Sequence, residues 1–530
     1  MNALTEYWCE TEPCLLHVLE SDDHYLGGDE NAVWFMGVKY LYQHWADFRL
    51  PAAQYYESLY RFNKEKTSFY RAHGGRRCSG KTVKADARLD LLFDRPTGGN
   101  EKAPKVEAVA VPPEKVPSCV PGRIRPGRSP WRPAGRPPED FYRLFAAFAA
   151  VQLMGEESTP EAVFSHLHNN PSLARACGFT PGGETAPLPS HRLLQQFDQI
   201  MTENGLWTMI QLEAVKKNLR EGTVKPEPNL VHDTTHHLAF SGFETVKYED
   251  ENGREKKKSQ SHLTKSCRCA DRDRCPHPWE LSDNGAGTIV KHDNKYYWGH
   301  KASIIGLPDQ GIPMVALAVA DAASHDSQSL PGTLEFMKKH FPELMTEAVR
   351  LLDDSAADSA DLKQQLHQDF GLEVNGSVNP KRRQNLGPEE LPAGMAKLTP
   401  AGYLYCQAGY EMDFLGTRNS AGTYLYGPPV KNGEERYCAE CPLKSRCCRK
   451  NNATGRHPTI PFEALPHLSP ANPPMAKRFK ERMKKRPAIE RIIFQLKCRL
   501  GDRYLHKRGN HNYQATLDKS MLAFHLLIRL

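Results

Sequence analysis

The run Asn229-Leu230-Val231-His232-Asp233-Thr234-Thr235-His236-His237-Leu238-Ala239-Phe240 constrains this chain most, because it reads as a short buried strand with one carboxylate near its middle. A lone carboxylate in such a place costs stability unless it is paired or holds a metal. Two later stretches offer partners. Residues 348–355 form another short apolar run that reaches Asp353 and Asp354, and Arg486-Pro487-Ala488-Ile489-Glu490-Arg491 opens an amphipathic helix. Three acids at the ends of separate elements are what a two-metal phosphoryl-transfer site needs. Each divalent ion must be held by carboxylates while positions stay open for phosphate and water.

The order of elements around these acids sets the fold class. Strands are expected at 229–240, 295–305 and 312–321, then a helix at 330–340, a strand ending at Asp354, a helix at 362–370 and a strand at 372–374. That order predicts an α/β chain with an RNase H-like core, a mixed five-stranded sheet covered by helices. An insertion precedes the last helix, and helical domains precede the core. The expected divisions are a helical unit at 1–70, a flexible basic segment at 71–138, a helical, DNA-binding domain at 139–225, the first part of the core at 226–380, the insertion at 381–475, and the last helix with a basic tail at 476–530. In the first unit Trp34, Val38, Leu41, Trp45, Phe48, Tyr55, Leu59 and Phe62 recur at roughly helical spacing, as core residues do.

The charge balance, 70 Lys and Arg against 63 Asp and Glu, is too even to name a partner, so its distribution matters more. Residues 122–136 hold Arg123, Arg125, Arg128, Arg132 and Arg136 with no acid, and their prolines deny them a helix. Two readings stay open for this segment, a solvated linker and an arm that tracks DNA phosphates. No stretch approaches the ~20 apolar residues of a membrane span, and no signal pattern opens the chain, so no membrane partner and a cytoplasmic, nucleoid-associated location are expected.

The 14 cysteines fall mostly in two clusters of short spacing. In a reducing compartment such spacing points to metal rather than disulfides. Cys438, Cys441, Cys447 and Cys448 have the spacing of a structural zinc site, which could stand in for a core in a Gly- and Pro-rich insertion; Cys267, Cys269 and Cys275, with His277, are the weaker candidate. The histidines at 232, 236 and 237 read as packing and hydrogen-bonding partners of Asp233, with metal ligation as the sharper alternative.

In the last helix Ile489, Ile492, Ile493, Leu496 and Leu500 form one apolar stripe, with Glu490 and Lys497 on its edge about two turns apart. Here the chain resembles a known family. Met483, Arg486, Glu490 and Lys497 fall at the spacing of the Y-x2-R-x3-E-x6-K signature of bacterial insertion-sequence DDE transposases, with Met483 in the tyrosine's place. The resemblance extends to Asp233-Thr234-Thr235, to Tyr296-Tyr297-Trp298-Gly299-His300-Lys301, and to Ala323-Ser324-His325-Asp326-Ser327. It implies a DDE triad of Asp233, Asp354 and Glu490, with Asp353 the alternative second acid, and Arg486 and Lys497 on transposon-end DNA. It also implies a Mg2+ (or Mn2+) dependent transposase, acting as a homodimer on double-stranded DNA, that cleaves transposon ends and joins the 3'-hydroxyl to target DNA. The rival expectation is a transposase-derived DNA-binding protein without catalytic activity.

Overall fold

The computed structural model describes residues 33–72, 141–182, 186–265, 276–291, 295–379, 384–431, 435–438, 440–448, 455–501 and 505–530. Arg123, Arg125 and Arg128, and the first cysteine cluster except His277, lie outside the described residues. The chain divides into two compact units, Met1–Met154 with Ser158–Ile210 and Lys265–Trp279, and Gly155–Glu157 with Gln211–Thr264 and Glu280–Leu530.

The first unit is helical. It contains α1 (Val33–Gln43), α2 (Arg49–Ala72), α3 (Phe141–Leu153), α4 (Pro160–Asn169), α5 (Pro171–Ala176), α6 (His191–Glu203) and the start of α7 (Leu206–Arg220). Every residue of α3 except Arg143 is buried, as expected of a helix apolar on all faces. Around it pack Phe48, 5.2 Å from Phe145 between ring centroids, Tyr55, 5.0 Å from Phe197, and Trp207, 5.6 Å from Phe148. The two helical stretches expected as separate domains therefore share one aromatic core. Pro160 and Pro171 sit in first turns, where no N–H is missed, and Thr159, Asn170 and Ser190 cap the helices that follow them.

The second unit is built on a mixed sheet. Its strands are β1 (Asn229–Leu238), the hairpin β2 (Phe243–Glu249) and β3 (Glu255–Ser261), the short pair β4 (Leu263–Thr264) and β5 (Glu280–Leu281), then β6 (Gly287–Lys291), β7 (Lys295–Leu307) and β8 (Ile312–Ala318). Helices α8 (Asp326–His340) and α9 (Pro342–Glu347) lead to β9 (Arg350–Asp353), and α10 (Ala360–Phe370) leads to β10 (Glu373–Gly376). The main sheet runs β10-β9-β1-β7-β6, with β8 also on β7, six strands where five were expected. The addition is β6, which shares one edge of β7 with β8. Val290 is 62% exposed and Ile289 buried, so β6 lacked the continuous apolar run by which its neighbours are recognised.

Strand β1 pairs in parallel with β9 through Asn229–Arg350 to Val231–Leu352, and antiparallel with β7 from Val231–Gly306 to Leu238–Gly299. The pairing with β9 thus stops two residues before Asp233. Gly299 is required where it stands, since a Cβ there would lie 2.1 Å from the His237 carbonyl oxygen.

The segment before the last helices folds on its own short strands: β11 (Met395–Leu398) with β12 (Leu404–Cys406), β13 (Asp413–Arg418) with β14 (Thr423–Gly427), and β15 (Val430–Lys431) with β16 (Glu435–Arg436). After the single turn α11 (Lys444–Cys447), β17 (Thr459–Pro461) joins β14. The expectation that a metal replaces a core here is corrected: Met395, Leu398, Leu404, Met412, Tyr424, Tyr426, Ile460, Leu465, Leu468 and Met475 form a buried cluster of their own.

Three helices complete the unit, α12 (Lys477–Met483), α13 (Ala488–Arg499) and α14 (Asn510–Leu527). The predicted stripe is the docking face of α13, with Ile489, Ile492, Leu496 and Leu500 buried. It lies on β1 and β7. A Cβ on Gly306 of β7 would come 2.5 Å from Ile492 Cδ1, so glycine lets the helix approach. The expected basic tail is instead α14, in which every residue from Tyr513 to Leu526 is buried. Its Gln514, Thr516, Asp518, Lys519 and Ser520 are buried too, which hid the helix from any apolar pattern. No helix among the described residues is long and apolar enough to cross a membrane.

Candidate active site

Asp233 sits where β1 loses its β9 neighbour, opposite Ile304 of β7. Its Oδ1 accepts the Thr234 N–H at 2.8 Å, and its Oδ2 accepts from Arg486 Nη2 at 2.9 Å. Burial pushes its carboxyl up to about 6 even though the Arg486 guanidinium and His232 pull it down; the neighbouring Asp354 adds to the rise.

The two aspartates at the end of β9 have different partners. Asp353 ends the strand and is buried; its Oδ2 meets His232 Nδ1 at 2.8 Å, and its Oδ1 accepts the Asp354 N–H at 2.7 Å. Burial alone would lower His232, but Asp353 outweighs it and holds the imidazole above the ordinary histidine range. The chain of contacts continues from His232 Nε2 to Ser303 Oγ at 3.0 Å, and Thr333 Oγ1 donates to Ser303 Oγ at 2.8 Å. Asp354, one residue beyond the strand, caps the turn at Ser355–Ala357 by accepting the Ala356 N–H at 2.6 Å. It is half-buried and close enough to raise Asp233 by its charge. Asp353 is therefore committed to His232, and Asp354 is the acid that faces Asp233 electrostatically. The expectation that Asp354 closes the strand is corrected by one residue.

Pro487 sets up the third acid. It occupies the N-cap of α13, which leaves Arg486 in the turn just before the helix and Glu490 in its first turn, an acid where the helix dipole favours one. Arg486 Nη1 donates to Glu490 Oε1 while Nη2 holds Asp233, so one guanidinium spans two acids that are far apart in the sequence. Glu490 is 60% exposed and Arg486 only 19%. The remaining Arg486 nitrogen, Nε, is buried without a hydrogen-bond partner.

Lys497 does not reach outward. Its Nζ donates to Thr235 Oγ1 at 3.2 Å and to the His236 carbonyl at 2.7 Å, tying α13 to β1. Of the three histidines, His232 serves Asp353, His237 Nδ1 meets Tyr513 Oη at 2.7 Å, and His236 lends its carbonyl to Lys497. Two further pairs draw on segments that the sequence reading quoted only for their resemblance, without a role for them. Lys301 donates to Asp326 Oδ1 and the Ser324 carbonyl, both at 2.8 Å, and His300 lies between Asp283 Oδ1 at 2.9 Å and Asn510 Oδ1 at 2.7 Å. The tripeptide Gly299-His300-Lys301 inside an apolar strand was the available signal.

Three carboxylates are hard oxygen donors, the right chemistry for a divalent cation. With Arg486 in place their arrangement does not fit one. Among the described residues no three His, Cys, Asp or Glu side chains are gathered to hold an ion, and Arg486 stands between Asp233 and Glu490. Cys438, Cys441, Cys447 and Cys448 form no disulfide, and among the described residues no three of them are gathered to hold an ion. Burial pushes Cys447 up to about 11, with Cys448 adding to it, and raises Cys438, with the charges of Cys448, Cys406 and Cys441 adding to it.

Residues 405–526 match the family model described as a transposase DDE domain. The match includes Arg486, Glu490 and Lys497 and supports a DDE transposase; Asp233 and Asp354 lie outside it. No curated protein matches the chain. Among solved structures, the cryo-EM structure of a piggyBac transposase synaptic complex with hairpin DNA aligns at 10% identity and a TM-score of 0.28, over 72% of this chain and 63% of that one. The chain thus spans less than two thirds of that relative, and a likeness so distant bears no weight.

Proposed function

We propose that this chain is a DNA transposase with an RNase H-like core, which cleaves transposon ends and joins the freed 3'-hydroxyl to target DNA. One observation carries the reading: Asp233 and Glu490, far apart in sequence, meet on a single guanidinium, and Arg486 and Glu490 belong to the segment that matches a transposase DDE domain. Asp354 is the second acid and Asp353 its support. Both strand breakage and strand joining are in-line attacks at phosphorus, so the protein's task is to hold charge and position. Asp233 supplies position, being fixed on a central strand. Glu490 supplies adjustability, since it stands exposed on the first turn of a helix. Lys497 keeps that helix on β1. The Mg2+ or Mn2+ that such chemistry uses would be held by Asp233, Asp354 and Glu490 once the guanidinium has left. Arg486 then turns to DNA phosphate, and Arg123, Arg125 and Arg128 contact the same backbone along the basic segment. Two ends must be joined together, so the active form is a homodimer on DNA.

The test is a supercoiled plasmid carrying the element's ends, incubated with protein and Mn2+. Asp233→Asn, Asp354→Asn and Glu490→Gln should each abolish cleavage and leave end binding in place. Cleavage near the wild-type rate in any of the three removes that residue from the triad. Binding without cleavage in the wild type would favour a DNA-binding protein that has lost catalysis.

A further inference from the structure

The site holds a cation already, and it is covalently part of the chain. Arg486 Nη2 lies 2.9 Å from Asp233 Oδ2 and its Nη1 bonds Glu490 Oε1, so the two carboxylates that a divalent ion would have to share are bridged by one guanidinium. We infer that Arg486 is a resident counter-cation that closes the site in the DNA-free protein and must swing away before a divalent ion can enter. This rests on the transposase reading above.

Three features of the molecule support an exchange. First, the closed arrangement is incomplete. Arg486 Nε is buried and unpartnered, a cost that a second arrangement can relieve. Second, a way out exists. Glu490 is mostly exposed, Arg486 belongs to the turn between α12 and α13 rather than to a helix, and its N–H bonds only back to the Met483 carbonyl at 3.1 Å. Third, the other partner is prepared. Lys477-Arg478-Phe479-Lys480-Glu481-Arg482-Met483-Lys484-Lys485-Arg486 carries seven Lys and Arg against one acid, and Lys480, Lys484 and Lys485 have exposed side chains. A DNA backbone drawn to this segment brings phosphate to Arg486, and a phosphate offers its fork the same two-pronged contact that the carboxylates now give. With the guanidinium on phosphate, Asp233 and Glu490 would be free to hold a divalent ion, which would supply charge for attack at phosphorus. By linkage, whatever DNA gains in releasing the arginine, metal binding gains too.

The experiment is calorimetric titration of Mn2+ into DNA-free, full-length protein. Wild type should bind weakly, and Arg486→Gln should bind at least about tenfold more tightly, because its competitor is gone. A merely structural arginine would have the opposite effect, since its loss would loosen the acids. Arg486→Lys keeps one charge but cannot span both carboxylates, so it should fall between the two; it also serves if the glutamine variant does not fold. Asp233→Asn combined with Arg486→Gln should lose the gain, which assigns the ion to this site. Equal affinities in wild type and both single variants would overturn the inference, and wild-type plasmid cleavage would then leave the transposase reading standing. Tight binding that survives in the double variant would also overturn it.

Discussion

Asp233→Asn should make the protein more stable as well as inactive, and the gain should depend on pH. Burial raises the Asp233 carboxyl from an ordinary 3.8 to about 6. A raised value in the folded state means that the native protein holds this proton more tightly than the unfolded chain. The associated stability is fully present below about pH 4 and is lost as pH rises through 6. A shift of about two units, at about 1.4 kcal/mol each, makes the ionised Asp233 cost roughly 3 kcal/mol at pH 8. Asparagine keeps the shape, stays neutral at every pH, and carries no such cost. The variant should therefore exceed wild type by up to about 3 kcal/mol at pH 8, with the gap shrinking toward zero near pH 4. Urea unfolding followed by tryptophan fluorescence, in EDTA at a series of pH values, measures it. A gap that does not change between pH 4.5 and 8 would refute the argument that burial drives the shift. The result expected is the usual signature of a functional acid held against its own preference.

His525 is the opposite case: burial lowers it to about 4, with Nε2 facing the Pro313 carbonyl at 2.8 Å. Stability should fall by up to about 3 kcal/mol as pH drops from about 6.5 to 4, and His525→Gln should flatten that acid limb in the same urea series. Gly299→Ala places a Cβ against the His237 carbonyl and should cost 3 kcal/mol or more, roughly the upper range for forced overpacking, read from the urea midpoint. Deleting residues 71–138 should weaken DNA binding across all sequences and flatten its salt dependence; an unchanged slope of log affinity against log salt would make the segment a linker.

What was legible in the sequence is what repeats at short range. The stripe of α13 could be read because Ile489, Ile492 and Leu496 recur at helical spacing and all face the sheet. β1, β7 and β9 could be read because their buried runs are continuous. The core of the 384–475 segment could not, because its members from Met395 to Met475 come singly from short strands and loops. α14 was missed for a different reason: its polar residues are buried and satisfied, as when Gln514 Nε2 donates to the Ala316 carbonyl at 3.0 Å, so no face stands out. The candidate acids were picked out in the sequence as carboxylates on or beside apolar runs. Which of Asp353 and Asp354 serves which purpose depends on His232, a partner 121 residues from Asp353.

The docking of α13 on β1 also fixes an order of events during synthesis. Asp233 emerges 253 residues before Arg486. The contacts that join them are of very high sequence separation, so they cannot close until the intervening segment, with its own core, has been made. A chain broken off between Gly376 and Pro487 would hold every strand of the central sheet, yet would lack Glu490 and the helix that docks on β1. The contact between Asp233 and Arg486 therefore belongs to the last part of the chain to be made.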